Sequence, residues 1–189
     1  MKKEYILIEN ERYKLVIKLE EMDLDYYTDV YIELVLREKS IVLLKDNLLA
    51  LKNIVEQYEM KAIDSLDINL NESELGILLN DYYRGFYEDD ISSHLIFDDQ
   101  DLWIGEKYCC YQGREYAIWI YRYGGNIIMK VTPIFDGFEK DDYAQEYYRF
   151  IQGYKDVFRE VIPLQALTMA KKTIIQLYNR YMDNGYQHI

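Results

Sequence analysis

His94, in the stretch SSHLIF, is the one internal residue whose type suits general acid–base work near neutral pH. Strand-like alternation sets Ser92 and His94 on one face, but no nucleophile elbow accompanies them, and His94 reads as an ordinary histidine. Cys109 and Cys110 are the only cysteines and are adjacent. Neighbours on a strand point to opposite faces, so one is expected inward and one outward, and no disulfide framework follows. His94 and His188 are the only histidines, and without CxxC or HxxxH spacing no zinc site is expected. With 34 acidic residues in the chain, any choice of an acid/base pair is arbitrary, so glycosidase-type chemistry has no specific support. DDQDLWIGE offers oxygens for calcium. Counted from Asp98, however, Trp103 stands where the loop needs Gly and Cys109 where it needs Glu. YRYGGN reads as a hairpin turn, and no phosphate-binding glycine loop is present. The expectation is a non-catalytic protein with no cofactor and no metal.

What remains is surface chemistry. Residues 81 to 101, DYYRGFYEDDISSHLIFDDQD, hold seven acidic and five aromatic side chains with one Arg and one His. Tyr82, Tyr83, Phe86 and Tyr87 lie beside Gly85 and the acids Glu88, Asp89 and Asp90, in a segment without clear periodicity; Asp98, Asp99, Asp101 and Trp103 continue the theme. Tyrosine offers a large contact area at low entropic cost, and carboxylates around it complement a cationic protein. These eleven residues are the candidate partner-binding site. The competing reading is a loop whose aromatics fold back onto the core beneath a solvated charge run.

Charge supports a basic partner. Against 22 basic residues the chain has 34 acidic ones, a net charge of −12. The part after Pro163 is locally +2, which leaves −14 on residues 1 to 162. Such a body repels phosphate backbones and anionic lipid, so direct binding to nucleic acid or membrane is not expected. No apolar run reaches the roughly eighteen residues a membrane-spanning helix needs. Glu4 and Glu9 interrupt the apolar patch a signal peptide would require, so a cytoplasmic location is expected.

These residues must be positioned by ordinary elements. RYKLVIKLE and DVYIELVLRE alternate, setting Tyr13, Leu15, Ile17 and Leu19, then Val30, Ile32, Leu34 and Leu36, on one side of an antiparallel pair; SIVLLK follows as a short apolar piece. Helical spacing in DNLLALKNIVEQYEMK predicts a helix over about 47 to 61 with Asp46 at its N-cap. LNESELGILLN is ambiguous, since Asn71 and Glu74 resemble a cap while Gly76 weakens a short helix. LWIGEKYCCY, EYAIWIYRY and NIIMKVTPIF, joined by QGR and GG, predict a three-stranded meander with Pro133 near a strand end or on an edge. A helix through DDYAQEYYRFIQGYKDVFREV is expected to carry Tyr143, Tyr147, Phe150, Ile151, Tyr154 and Phe158 on one stripe. A last helix after Pro163 should turn Leu164, Leu167, Ala170, Ile174, Leu177 and Tyr181 inward. The expected fold is a single α+β domain over residues 1–189. It consists of an antiparallel sheet, hairpin plus meander, packed with three to four helices, two of them C-terminal.

That order of elements, with DNLLALKNIVEQYE after a β-hairpin and the acidic FDDQDLWIG leading into a meander and a closing helix, resembles the small acidic immunity proteins of bacterial polymorphic-toxin and contact-dependent inhibition systems. The resemblance implies a protein that binds and blocks a cognate toxin, often a nuclease, through an acidic surface. It carries over no contact residue. Two other readings stand beside it: an acidic regulator or nucleic-acid mimic, for instance phage-derived, that occupies a DNA-binding protein, and a carbohydrate-binding module built on Tyr and Trp platforms.

Overall fold

Two four-stranded antiparallel sheets carry the α+β fold in the computed structural model, which describes residues 2–20, 29–66, 70–89 and 104–185. The first holds β1 (Lys2–Glu9), β2 (Tyr13–Glu20), β3 (Asp29–Leu36) and β4 (Ser40–Asn47) in chain order. The second holds β5 (Cys109–Gln112), β6 (Tyr116–Tyr123), β7 (Asn126–Pro133) and β8 (Phe158–Val161), also in chain order. The expected hairpin is β2–β3 and the expected meander is β5–β7. One sheet was expected and two are present. The strands that make the difference, β1, β4 and β8, all lie on sheet edges.

Bulges explain why edges escape a period-two reading. Leu7 is the extra residue where β1 pairs Ile6 with Val16 and Ile8 with Leu15, and Leu43 is the extra residue in β4. Each bulge lets two successive residues turn inward: Leu7 and Ile8 are buried, as are Leu43 and Leu44. Cys110 is the extra residue in β5, and both cysteines are buried as free thiols, not one in and one out as expected. A bulged edge also resists pairing with another chain.

The chain divides into two units, residues 1–60 with 162–189, and residues 61–161. In the first unit, Tyr13, Leu15, Ile17 and Leu19 on β2 and Val30, Ile32 and Leu34 on β3 are buried as their alternation predicts. The opposite face is laced with ion pairs, Lys18–Glu33 at 2.6 Å and Lys45–Asp29 at 3.2 Å among them. Helix α1 (Leu48–Ile63) is capped by Asn47, whose Oδ1 accepts the Ala50 N–H at 2.9 Å; Asp46, the expected cap, instead accepts the Asn47 N–H. The closing helix, α5 (Leu164–Gly185), lies against β1 and buries Leu167, Ala170, Ile174, Leu177 and Tyr181, while Leu164, expected inward, is exposed.

The second unit holds α2 (Leu75–Tyr87), preceded by a 3₁₀ turn at Glu72–Glu74, then α3 (Ile104–Tyr108) and α4 (Tyr143–Gln152). LNESELGILLN is therefore helical. Gly76 is there for contact: a Cβ on it would stand 2.7 Å from Thr132 Cβ. The long helix expected from residue 141 stops at Gln152, and Gly153 closes it; Phe158 belongs to β8, where its backbone pairs with Val131. A β-rich FREV beside an open sheet edge is satisfied by strand pairing, which overrides the helical spacing of its aromatics. Gly124 and Gly125, both at positive φ, make the β6–β7 turn. Ile118, Trp119, Ile120 and Tyr121 are all buried, so β6 is covered on both faces.

A polar network fastens the 3₁₀ turn to this sheet. Arg159 Nε donates to Glu72 Oε1 at 2.7 Å and its Nη2 to Oε2 at 3.1 Å, while Tyr121 Oη donates to Oε1 at 2.7 Å. Burial opposes the Glu72 charge, but the bonds from Arg159 and Tyr121 and the Arg159 and Lys130 charges outweigh it and hold the carboxyl below its usual range. The stability this contributes is present above the unfolded carboxyl value and is lost as pH falls through the folded one. Glu72→Gln is expected to flatten the acid limb of the stability profile below about pH 4.5 relative to wild type. Thermal melts between pH 3 and 7 check this, and parallel profiles for the two proteins would contradict it.

Candidate functional site

Helix α2 builds the part of the candidate site that the structure describes. Leu75 and Leu79 pack into the core of the second unit with Tyr108, Ala117, Trp119, Tyr121 and Ile128, and Tyr83 rests against that cluster with its hydroxyl on Gln112 Oε1. One turn on, Asn80 is fully buried and satisfied. Its Nδ2 donates to Gly76 O at 2.7 Å and Pro133 O at 3.0 Å, and its Oδ1 accepts the Phe135 N–H at 2.7 Å. These bonds pin the segment after β7 onto α2. Phe135 thereby starts a layer of seven rings that also includes Phe138, Tyr87, Tyr143, Tyr147, Phe150 and Tyr154.

The outer end of this layer is Tyr87, stacked on Phe138 at 5.6 Å and edge-on to Tyr143 at 5.0 Å. Tyr143 Oη donates to Glu88 Oε1 at 3.1 Å, and Tyr147 Oη donates to Asp81 Oδ1 at 2.8 Å beside the Arg84–Asp81 ion pair. Loss of solvent, followed by these carboxylate bonds, pushes both phenols up, so they stay protonated donors. Asp89 takes a left-handed conformation with φ 55° and ends the helix.

Position by position, the structure redistributes the expected residues. Tyr82, Tyr83, Phe86 and Tyr87 are helical, which corrects the aperiodic reading of their segment, and Glu88 and Asp89 follow in the turn. Tyr83 is a core contact and Tyr87 half belongs to the aromatic layer. Phe86 is 62% exposed and is the aromatic that α2 presents most fully to solvent. Asp90, His94, Asp98, Asp99, Asp101 and Trp103 lie outside the described residues. The structure adds Phe138 and Tyr143, together with the exposed acids Asp136, Glu139, Asp141 and Asp142 of the segment between β7 and α4. DGFEKDDY there repeats the pattern of aromatics among acids seen in GFYEDD, and that signal could have flagged it.

Electrostatics makes this surface unusual for a helix end. The C-terminus of a helix carries a partial negative charge and favours cations, yet Glu88 and Asp89 stand there, at a cost of about 0.3–1 kcal/mol each. Local rules are broken where something other than stability is served. Nucleophilic chemistry finds no support in the cysteines: burial pushes the Cys109 thiol up to about 12 and Cys110 higher still, so neither is a thiolate at neutral pH. Among the described residues, no group of three or more His, Cys, Asp or Glu side chains is placed to hold a metal ion, and no helix is long and apolar enough to cross a membrane. No protein-family model, no curated protein and no solved structure matches this chain.

Proposed function

We propose that this chain is a non-catalytic binding protein, of the kind that neutralises a basic bacterial toxin by covering it. Its docking surface is the outer end of α2 with the 136–143 segment. The observation that carries the reading is Phe86, 62% exposed, beside Glu88 and Asp89 on a helix end whose dipole disfavours both acids. An aromatic anchor inside an acidic rim complements a cationic protein: the rim steers encounter and the anchor sets residence time.

Affinity capture from the native host, read by mass spectrometry, supplies the partner for a kinetic test. Phe86→Ala is expected to leave the melting temperature unchanged, because the ring is largely solvated, and to speed dissociation by about 30-fold, the equivalent of a ~2 kcal/mol hot spot. Reversing Glu88 and Asp89 to Lys should slow association and flatten its dependence on ionic strength, since the lost attraction is screened over about 10 Å at 0.1 M salt. Wild-type kinetics in both folded variants would place the interface elsewhere.

A further inference from the structure

One carboxylate–phenol bond occurs twice along the aromatic layer, and among the described residues only its inner copy is completed by a cation. At the inner copy Tyr147 Oη donates to Asp81 Oδ1 at 2.8 Å and Arg84 Nη2 stands 3.4 Å from the same oxygen. The Arg84 guanidinium lies over the Tyr147 ring, 5.3 Å from its centre. At the outer copy Tyr143 Oη donates to Glu88 Oε1 at 3.1 Å. Glu88 stands seven positions after Asp81 and Tyr143 four before Tyr147, spacings that return each residue to the helix face of its inner counterpart. Resting on the docking surface proposed above, we propose that this outer copy is the seat of an arginine supplied by the basic partner. Its guanidinium lies against the Tyr87 and Tyr143 rings and its N–H fork meets Glu88, as Arg84 does within the chain.

The chain does not supply this cation itself. All 22 of its Lys and Arg residues lie within the described segments, and among the described residues none makes an ion pair with Glu88 or Asp89. Arg84 shares the face, but its guanidinium is engaged by Asp81 and Tyr147. The shape of the seat selects arginine over lysine. A guanidinium is planar, so it stacks on a ring while its fork meets a carboxylate; an ammonium is a compact, strongly hydrated point charge that does neither as well. Tyr87 is 48% exposed, backed by Phe138 at 5.6 Å and met edge-on by Tyr143 at 5.0 Å. Two rings and a carboxylate therefore converge at the end of α2, held in place before any partner arrives. Such preorganisation lowers the cost of ordering side chains on binding.

The test is an NMR titration of the full chain with two probes of equal charge, a tetra-arginine and a tetralysine peptide. Tetra-arginine is expected to shift the amides of Tyr87, Glu88 and Tyr143 saturably and to bind about fivefold tighter than tetralysine. Glu88→Gln should remove that preference, whereas Asp89→Asn should weaken both peptides alike and keep it. Both side chains are exposed, so each variant should retain the circular dichroism of wild type. Equal affinities for the two peptides at these amides, or a preference that survives Glu88→Gln, would overturn the arginine seat and leave the acidic docking surface standing. No saturable shift at these amides with either peptide would overturn the seat and the docking surface together.

Discussion

Lys130→Met is expected to lower the unfolding free energy by about 3–5 kcal/mol, the loss typical when one partner of a buried ion pair is removed. The Lys130 side chain is fully buried on β7, with its ammonium 3.1 Å from Asp156 Oδ2 and 2.6 Å from the Glu72 carbonyl. Methionine keeps most of the volume, so the cost comes from the stranded Asp156 carboxylate and the unanswered carbonyl, not from a cavity. Asp156 retains 29% exposure and can recover part of its hydration, which points to the lower half of that range. Urea denaturation at constant m-value reads the change, and a double-mutant cycle with Asp156→Asn isolates the pair: the second substitution should cost much less in the Lys130→Met background than in wild type. A midpoint within about 0.5 kcal/mol of wild type would show that the network contributes little.

The legible parts of this fold were the central ones. Strands β2, β3, β6 and β7 and helices α1 and α5 announce themselves because each repeats one period without interruption. The edge strands β1, β4 and β8 did not, and for β1 and β4 the reason lies in Leu7 and Leu43: an extra inward residue resets the alternation midway, so an eight-residue strand reads as a short apolar patch. The same device in β5 defeated the one-in, one-out reading of Cys109 and Cys110. Gly76 misled in the opposite sense. Its low helix propensity argued against α2, but the close approach of Thr132, more than fifty residues away in sequence, requires it.

The candidate site was legible in its composition and not in its geometry. Aromatics beside acids flagged residues 82 to 89, but sequence alone could not separate Tyr83, which packs on the core, from Phe86, which faces solvent. The rotation of α2 decides that, and Asn80 helps set the rotation by bonding to Pro133 and Phe135, 53 and 55 residues further along the chain. Long-range contacts of this kind leave no local period. Phe138 and Tyr143 were missed for the same reason, since each joins Tyr87 only after the segment beyond β7 is pinned to the helix.

Trp119→Ala is expected to cost about 3–5 kcal/mol, the range for deleting a buried large aromatic. Trp119 is the largest of the fully buried side chains among the described residues, and its indole Nε1 donates to Thr132 Oγ1 at 2.8 Å. That bond orients Thr132, whose Cβ and Cγ2 fill the space beside Gly76 of α2. Alanine therefore removes the platform beneath α2 and frees the threonine that spaces helix from strand. Trp119→Phe restores most of the volume and should recover all but about 1 kcal/mol for the lost hydrogen bond, together with some repacking. Phe86 gives the contrast: truncation of Trp119 on β6 should act on the denaturation midpoint, and truncation of Phe86, on α2 and 62% exposed, on partner dissociation alone. If Trp119→Ala unfolds within about 1 kcal/mol of wild type, α2 does not depend on this contact, and the presentation of Phe86 must rest on Asn80 and the aromatic layer instead.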